Sequence, residues 1–382
     1  MADKLRMGVI GVGGMGSGHC SMIPAIPELE LTAVCDIDEA TRLAVSAKHS
    51  VPSFDRHTAL LDSGLVDAVL IATPHYFHAP IAVDAFSRGL HVLSEKPVAV
   101  TVGAADEMAS AARAANRAFG VMYQMRSEPQ YLAARKIVES GAVGDIYRTS
   151  CVMGWYRSQA YYNSGGWRAT WRGEGGGVLI NQAPHLLDAF TWLGGLPARV
   201  TGQTRTRLHD IEVEDEAFAV LEYPNGAHGY LYASTTETPD TMRIEICGDV
   251  GKLVISHSEL KFSTVDKPIR EFTFENQAMW AGPGTKLVDV PQPKFSDLSG
   301  HAAITQNFAR HILFGDTLLA PGYDGLNAVE LFNSIILSGK SGETVSVPVD
   351  RARYDALIAD LQAGSREKQS ATQLRETDPK FA

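Results

Sequence analysis

The sequence predicts an α/β protein in two parts, and three observations carry that expectation. The first third alternates short apolar runs with helical segments, whereas strand-like runs without intervening helices follow from about Arg126. A glycine-rich turn closes the first apolar run. The chain has 382 residues, more than one ordinary core sustains, so two folding units are the natural expectation.

Strands are expected at Arg6–Ile10, Leu31–Cys35, Ala68–Ile71, His91–Ser94 and Phe119–Tyr123. Each is short and apolar throughout, as in parallel strands buried on both faces. Helices are expected between them, at about Gly16–Ile26, Glu39–Lys48, Ile81–Arg88 and Val102–Asn116. The alternation implies a doubly wound sheet over residues 1–126, with ligand at the carboxyl ends of its strands.

A helix at Pro129–Glu139 then runs to a stop at Gly141-Ala142-Val143-Gly144. Strands are expected at Ile146–Gly154, Arg199–Leu208, Glu216–Tyr223, Ala227–Ser234, Thr241–Cys247 and Lys252–Ser256, with Pro224-Asn225-Gly226 as a hairpin turn. They predict a largely antiparallel sheet in a second unit over 127–364, completed by helices at His301–Phe314 and Gly325–Ser338. Residues 365–382 are polar and read as a terminal arm.

The glycine turn is Gly11-Val12-Gly13-Gly14-Met15-Gly16, and the second apolar run ends on Asp36, twenty residues past Gly16. A strand, a G-x-G-x-x-G turn, a helix and a spaced acid together form the Rossmann dinucleotide-binding fingerprint. Gly11 permits the tight turn, Gly13 lets backbone approach a pyrophosphate, and Gly16 lets helix pack on strand. The helix N-terminus offers free N–H groups to phosphates. A carboxylate at Asp36 suits ribose hydroxyls and repels a 2′-phosphate, which favours NAD, while nearby Arg42 leaves NADP open.

The net charge of -10 disfavours nucleic acid or an anionic membrane as the main partner. Cys20, Cys35, Cys151 and Cys247 are widely spaced and suggest neither a disulfide framework nor a metal site. With no long apolar segment, the expectation is a cytoplasmic protein.

Two clusters could carry chemistry. Ser94-Glu95-Lys96-Pro97 follows the fourth strand, at the ligand edge of the sheet. A lysine there would lie beside a nicotinamide and could move a proton, and the Lys96–Pro97 bond has an accessible cis state that would aim it at the pocket. The second cluster runs from Gly175-Gly176-Gly177 to Asp188. A helix starting near Ile180, with Pro184 in its first turn, puts Asn181 and His185 one turn apart on a shared face, with Asp188 close to it.

Taken with Thr73-Pro74, His78 and Trp167-Arg168, these clusters are ordered and spaced as in the glucose–fructose oxidoreductase / inositol dehydrogenase (Gfo/Idh/MocA) family, which the whole chain resembles. The resemblance implies a Rossmann domain, a C-terminal α/β domain whose open sheet often makes an oligomer interface, and oxidation or reduction of a sugar or cyclitol with NAD or NADP. It implies that Lys96 assists proton transfer and His185 is the general acid/base. Many members have an aspartate where this chain has Asn181. A neutral amide does not raise the histidine's basicity, so His185 works at a lower pKa or Lys96 carries more of the transfer. The implied cofactor contacts are Gly11, Gly13, Gly14, Met15, Gly16, Asp36, Ile37, Thr73, Pro74, His75, His78, Glu95, Lys96, Gln124, Trp167 and Arg168. The implied substrate contacts are Asn181, Arg126 and the aromatic residues Trp155, Tyr156, Tyr161 and Trp171, whose rings suit the apolar faces of a pyranose.

The resulting expectation is an NAD-dependent dehydrogenase of a sugar, glycoside or cyclitol, closest in pattern to levoglucosan dehydrogenases and glycoside 3-oxidoreductases. The expected assembly is a homo-oligomer, dimeric or tetrameric, through the C-terminal sheet. Two other readings stay open: a glycosidase that oxidises a ring carbon transiently with bound NAD, and a non-catalytic NAD-linked sensor.

Overall fold

The computed structural model describes residues 4–366 and 368. The polar arm expected at 365–382 therefore lies almost wholly outside the described residues.

The first unit follows the strand–helix rhythm of the sequence. Strands β1 (Leu5–Ile10), β2 (Leu29–Cys35), β3 (Ser53–Phe54), β4 (Ala68–Ile71), β5 (His91–Ser94) and β6 (Phe119–Val121) form a parallel sheet. Its order is β3-β2-β1-β4-β5-β6, so strand order reverses between β1 and β4. That reversal opens a crevice at the carboxyl ends of the two strands. The connecting helices are α1 (Gly14–Met22), α2 (Glu39–His49), α3 (His57–Leu61), α4 (His78–Ser87) and α5 (Val102–Ala115). Helix α1 is shorter than expected because Pro24 turns its end into a 3-10 segment over Ile23–Ala25. The Asp38 and Thr101 side chains cap α2 and α5 by accepting from the Thr41 and Ala104 backbone N–H groups. Met7, Val9, Val69, Leu70, Val92 and Leu93 are fully buried, so the sheet centre is the core of this unit.

After α6 (Pro129–Glu139), the chain enters a second sheet at β7 (Ile146–Tyr156). Short helices α7 (Gln159–Asn163) and α8 (Val178–Asn181) precede α9 (Pro184–Gly194). Strands β8 (Arg199–Arg205), β9 (Glu216–Glu222), β10 (His228–Ser234), β11 (Thr236–Gly248), β12 (Gly251–Ser256) and β13 (Glu259–Val265) follow. Helix α10 (Ile269–Glu275), strand β14 (Thr285–Val288), helices α11 (Gly300–Phe314) and α12 (Gly322–Ser341), strand β15 (Val345–Ser346) and α13 (Arg351–Ala363) complete the chain. The sheet order is β14-β13-β12-β11-β7-β10-β9-β8-β15. It is antiparallel except where β10 runs parallel to β7. The expectation of strands without helices between them fails from β7 to β8, where three helices intervene.

One face of this sheet is covered by α9 and α12, and the other is open. Strand β9 alternates accordingly, with Ala217, Ala219 and Leu221 buried and Phe218 and Val220 exposed. The boundary drawn at residue 126 is crossed by later chain. Val121 N–H donates to the Ala320 carbonyl at 3.0 Å, and α12 packs on α5 and β6.

Candidate active site

The crevice at the reversal is built by the glycine turn. Gly11 has φ +84, and a Cβ there would lie 2.8 Å from the Ala72 carbonyl carbon and oxygen. A Cβ on Gly16 would lie 1.8 Å from the Gly11 oxygen, so helix and turn could not meet. A Cβ on Gly13 would meet nothing within 4 Å, because that position faces open space. No side chain caps α1, which leaves its first N–H groups for a ligand. The Asp36 carboxylate accepts from the Val12 and Asp38 N–H groups at 2.8 and 2.9 Å and has lone pairs to spare. Ile37 beside it is exposed. The Arg42 guanidinium donates to the Asp36 carbonyl at 3.1 Å.

A cavity of about 610 Å³ joins these residues to the second cluster. Its walls include Gly11, Gly13, Gly14, Met15, Asp36, Thr73, Pro74, His75, Glu95, Lys96, Trp167, Arg168 and Asn181. Residues from both units thus meet in one cleft whose floor is the glycine turn. A cleft with a glycine cradle, free helix N–H groups and a carboxylate at the far strand end fits a dinucleotide.

Lys96 stands where the two units meet. Its Nζ donates to the Asn181 backbone carbonyl at 2.8 Å and lies 3.3 Å from Asn181 Oδ1. Burial pushes its pKa below the usual lysine value, while Glu95 and Glu174 oppose that shift. The Lys96–Pro97 bond is cis. Glu95 turns away from Lys96 Nζ: its Oε1 lies 2.7 Å from His19 Nε2 and 4.0 Å from His301 Nε2. Burial works to raise its pKa, but the His19 hydrogen bond and neighbouring positive charge prevail and bring it to about 2.

The helix expected from Ile180 through Asp188 is broken. Helix α8 ends at Asn181 and α9 begins at Pro184, which lacks the N–H needed to continue the ladder. His185, in the first turn of α9, has its Nε2 3.3 Å from Gln124 Nε2 and its ring edge-on to Tyr123. Burial first, and then the Lys96 charge, lower the His185 pKa to about 3. Gln182 Nε2 donates to Tyr161 Oη at 3.1 Å, and Arg168 Nη1 donates to the same oxygen at 2.8 Å. Among the described residues, Thr73 Oγ1, Gln124 Oε1, Gln182 Oε1 and His185 Nδ1 are buried without a partner. Such groups suit a polyhydroxylated ligand.

The structure corrects several placements. The Arg126 guanidinium is buried and engaged elsewhere, donating to Asp188 at 2.7 and 2.8 Å and to Asp324 at 3.0 Å. It is not free to meet a substrate, and Asp188 is turned from the site for the same reason. Trp171 is buried on the far side of its loop, where its Nε1 donates to the Glu212 carbonyl and Lys340 lies over its ring. It lines a separate cavity with Asn163, Asp210 and Glu212. His78 sits beneath the cleft wall, with its ring nitrogens 2.8 Å from the Pro97 and Thr73 carbonyls. Trp155 and Tyr156 end β7 outside the cavity walls, with Arg157 stacked on Trp155.

Three contributors were missed by sequence reasoning. His19 lies three residues past Gly16, one turn into α1, so its position was readable. His301 comes from α11, far along the chain, and had no local signal. Glu174 immediately precedes the three glycines. It is buried, accepts from Asn181 Nδ2 and the Ala169 N–H, and lies 3.9 Å from Arg168.

The chain is similar to known proteins along most of its length. Residues 5–123 match the oxidoreductase family with NAD-binding Rossmann fold, and 131–254 match the GFO/IDH/MocA C-terminal domain. The chain is 25% identical to the D-glucoside 3-dehydrogenase of Escherichia coli over 369 residues, 91% of this chain and 98% of that one. It is 24% identical to the levoglucosan dehydrogenase of Pseudarthrobacter phenanthrenivorans over 393 residues, 91% and 99% of the two chains. The WlbA dehydrogenase of Bordetella pertussis, solved with NADH and UDP-GlcNAcA, superposes with a TM-score of 0.76 at 26% identity, covering 91% of this chain and all of that one.

Proposed function

This chain belongs to the Gfo/Idh/MocA family of NAD-binding oxidoreductases, and from that premise we propose that it oxidises a ring hydroxyl of a sugar, glycoside or cyclitol, or reduces the corresponding ketone. The observation that carries the reading is Lys96, whose amine stands between the glycine cradle and the Asn181–His185 segment. NAD, when bound, takes or returns the hydride. Gly11, Gly13 and the N–H groups of α1 would hold its phosphates, Asp36 its adenosine ribose, and Thr73, Pro74 and Trp167 the groove beyond.

The proton chemistry falls to Lys96. Burial lowers its pKa, which raises the fraction of free amine available to accept the hydroxyl proton. His185 stays neutral near pH 7 and orients the same hydroxyl through a hydrogen bond. Asn181 holds the lysine amine, while Tyr161, Gln182 and Arg168 form one hydrogen-bonded wall for the ring. Orientation supplies much of the rate.

Phe218, Val220 and Tyr230, exposed on the open sheet face, support self-association there as a dimer or tetramer. Four free cysteines suit work in the cytoplasm. Among the described residues, no helix is long and apolar enough to cross a membrane.

The test is purified protein with NAD⁺ or NADP⁺ against sugars, inositols, levoglucosan and aryl glycosides, following reduced nicotinamide and product mass. The expected result is reduced cofactor with a product two hydrogens lighter. Aglycone release without net reduction would replace this reading with a redox-assisted glycosidase.

A further inference from the structure

Behind the cleft wall, bonded to Asn181, lies a buried carboxylate with no part in this proton transfer. Glu174 is 1% exposed. Its Oε2 accepts from the Ala169 N–H and its Oε1 from Asn181 Nδ2. Ala169 adopts φ +56 to present that N–H, a left-handed conformation that a non-glycine residue rarely takes. Burial pushes the Glu174 pKa above the usual carboxylate range, and the Ala169 N–H, the Arg168 charge, the Asn181 amide and the Lys96 charge oppose that rise.

Both Glu174 oxygens act as acceptors, so the end of the Asn181 amide that faces Glu174 is its NH₂ end. The planar amide then turns Oδ1 toward Lys96 Nζ, 3.3 Å away, beside the backbone carbonyl at 2.8 Å. Two oxygens of one residue thus face the amine, and the orientation of one of them is set by Glu174, with Tyr161 Oη a second acceptor 3.4 Å from Asn181 Nδ2.

We propose that Glu174 is the positioning residue for Lys96: through the Asn181 amide it fixes where the amine points, and its charge helps set the pH at which that amine loses its proton. The proposal rests on the dehydrogenase reading for its catalytic consequence but not for its structural one.

The charged neighbours are few. Lys96 feels Glu95 from its own turn, Glu174 from the glycine-rich loop, Arg168 and Arg157 as like charges, and His75, His78, His185 and His301 around the cleft. Glu95 is already bonded to His19. Glu174 faces Arg168, Lys96, the Tyr162 ring and Lys368, whose ammonium donates to the Tyr162 and Arg168 carbonyls. Removing the Glu174 charge leaves Arg168 and Arg157 less opposed, which disfavours the Lys96 ammonium. Oxidation requires the free amine, so its acid limb should move to lower pH.

The test is Glu174→Gln in the full chain, read two ways. In protein carrying [ε-13C]lysine, with the Lys96 signal assigned by Lys96→Met, the titration midpoint should fall by about half a pH unit or more. The acid limb of kcat/KM for oxidation should move down with it, and kcat should fall while the NADH Kd stays within about twofold. Glu174→Gln combined with Asn181→Asp returns one carboxylate to the pair and should bring the Lys96 midpoint back toward wild type. A midpoint unmoved in Glu174→Gln overturns the proposal. A moved midpoint in a protein that oxidises no sugar leaves the positioning intact and overturns the dehydrogenase reading instead. If Glu174→Gln does not fold, Glu174→Asp is read in its place. It keeps the charge and shortens the reach, so kcat should fall with the midpoint held, and a wild-type kcat would overturn the proposal.

Discussion

Replacing Asp188 with Asn removes one charge at almost constant volume, and the cost can be worked from the contacts. Arg126 donates Nε and Nη2 to the two Asp188 oxygens at 2.8 and 2.7 Å, a bidentate pair with both side chains buried. Two hydrogen bonds to charged groups are worth roughly 1.5–3 kcal/mol each. Removing one partner of a buried pair typically costs about 3–5 kcal/mol, because the other charge is left uncompensated. Here Asp324 still holds Nη1 at 3.0 Å, although its side chain is 44% exposed, so the lower end applies, about 3 kcal/mol. With a urea m-value of about 3 kcal/mol/M, the unfolding midpoint should fall by about 1 M at fixed protein concentration. The double variant Arg126→Met, Asp188→Leu should recover much of that loss, since neither charge then stays buried alone. A midpoint for Asp188→Asn within about 0.3 M of wild type would refute the reasoning. A direct substrate role for Arg126 would instead appear as a raised KM with unchanged stability.

Lys96→Met should lower kcat by about 10²–10⁴-fold and leave NADH binding, measured by fluorescence titration, nearly unchanged. His185→Gln should lower kcat without moving the acid limb of the pH profile, because a group held near pKa 3 does not titrate there; a moved limb would assign that limb to His185. Asp36→Ala should weaken NAD binding and narrow the preference over NADP by about tenfold or more, read as the ratio of the two Kd values. The Glu95 pKa is brought down to about 2 from an ordinary value of 4.5, so its contribution to stability is full above about pH 4.5 and fades as pH falls toward 2. The difference in urea midpoint between wild type and Glu95→Gln should therefore shrink from pH 6 to pH 3, and a constant difference would count against a lowered Glu95 pKa.

What the sequence determined by itself was the local machinery. The Gly11–Gly16 turn and Asp36 are read from spacing because a strand–turn–helix unit fixes their geometry within a few residues. The turn carrying Lys96 was legible for the same reason, since it follows a four-residue apolar strand. Apolar runs located most strands to within a few residues, although β3, β13, β14 and β15 and the helices α3, α7, α10 and α13 escaped notice.

Tertiary structure decided which polar groups meet. Arg126 finds Asp188 and Asp324, 62 and 198 residues away, and no periodicity announces such a pair. A helical wheel put Asn181 and His185 on one continuous face, but Pro184 splits the segment, so the turn between two helices sets their relation. The loop from 164 to 177 has no regular period, so its sequence gives no sign that Trp167 enters the cleft while Trp171 leaves it. Glu174 belongs to the same loop. Its burial is tolerated because the Asn181 amide and the Ala169 N–H donate to its two oxygens, an arrangement that exists only once the chain has folded around it.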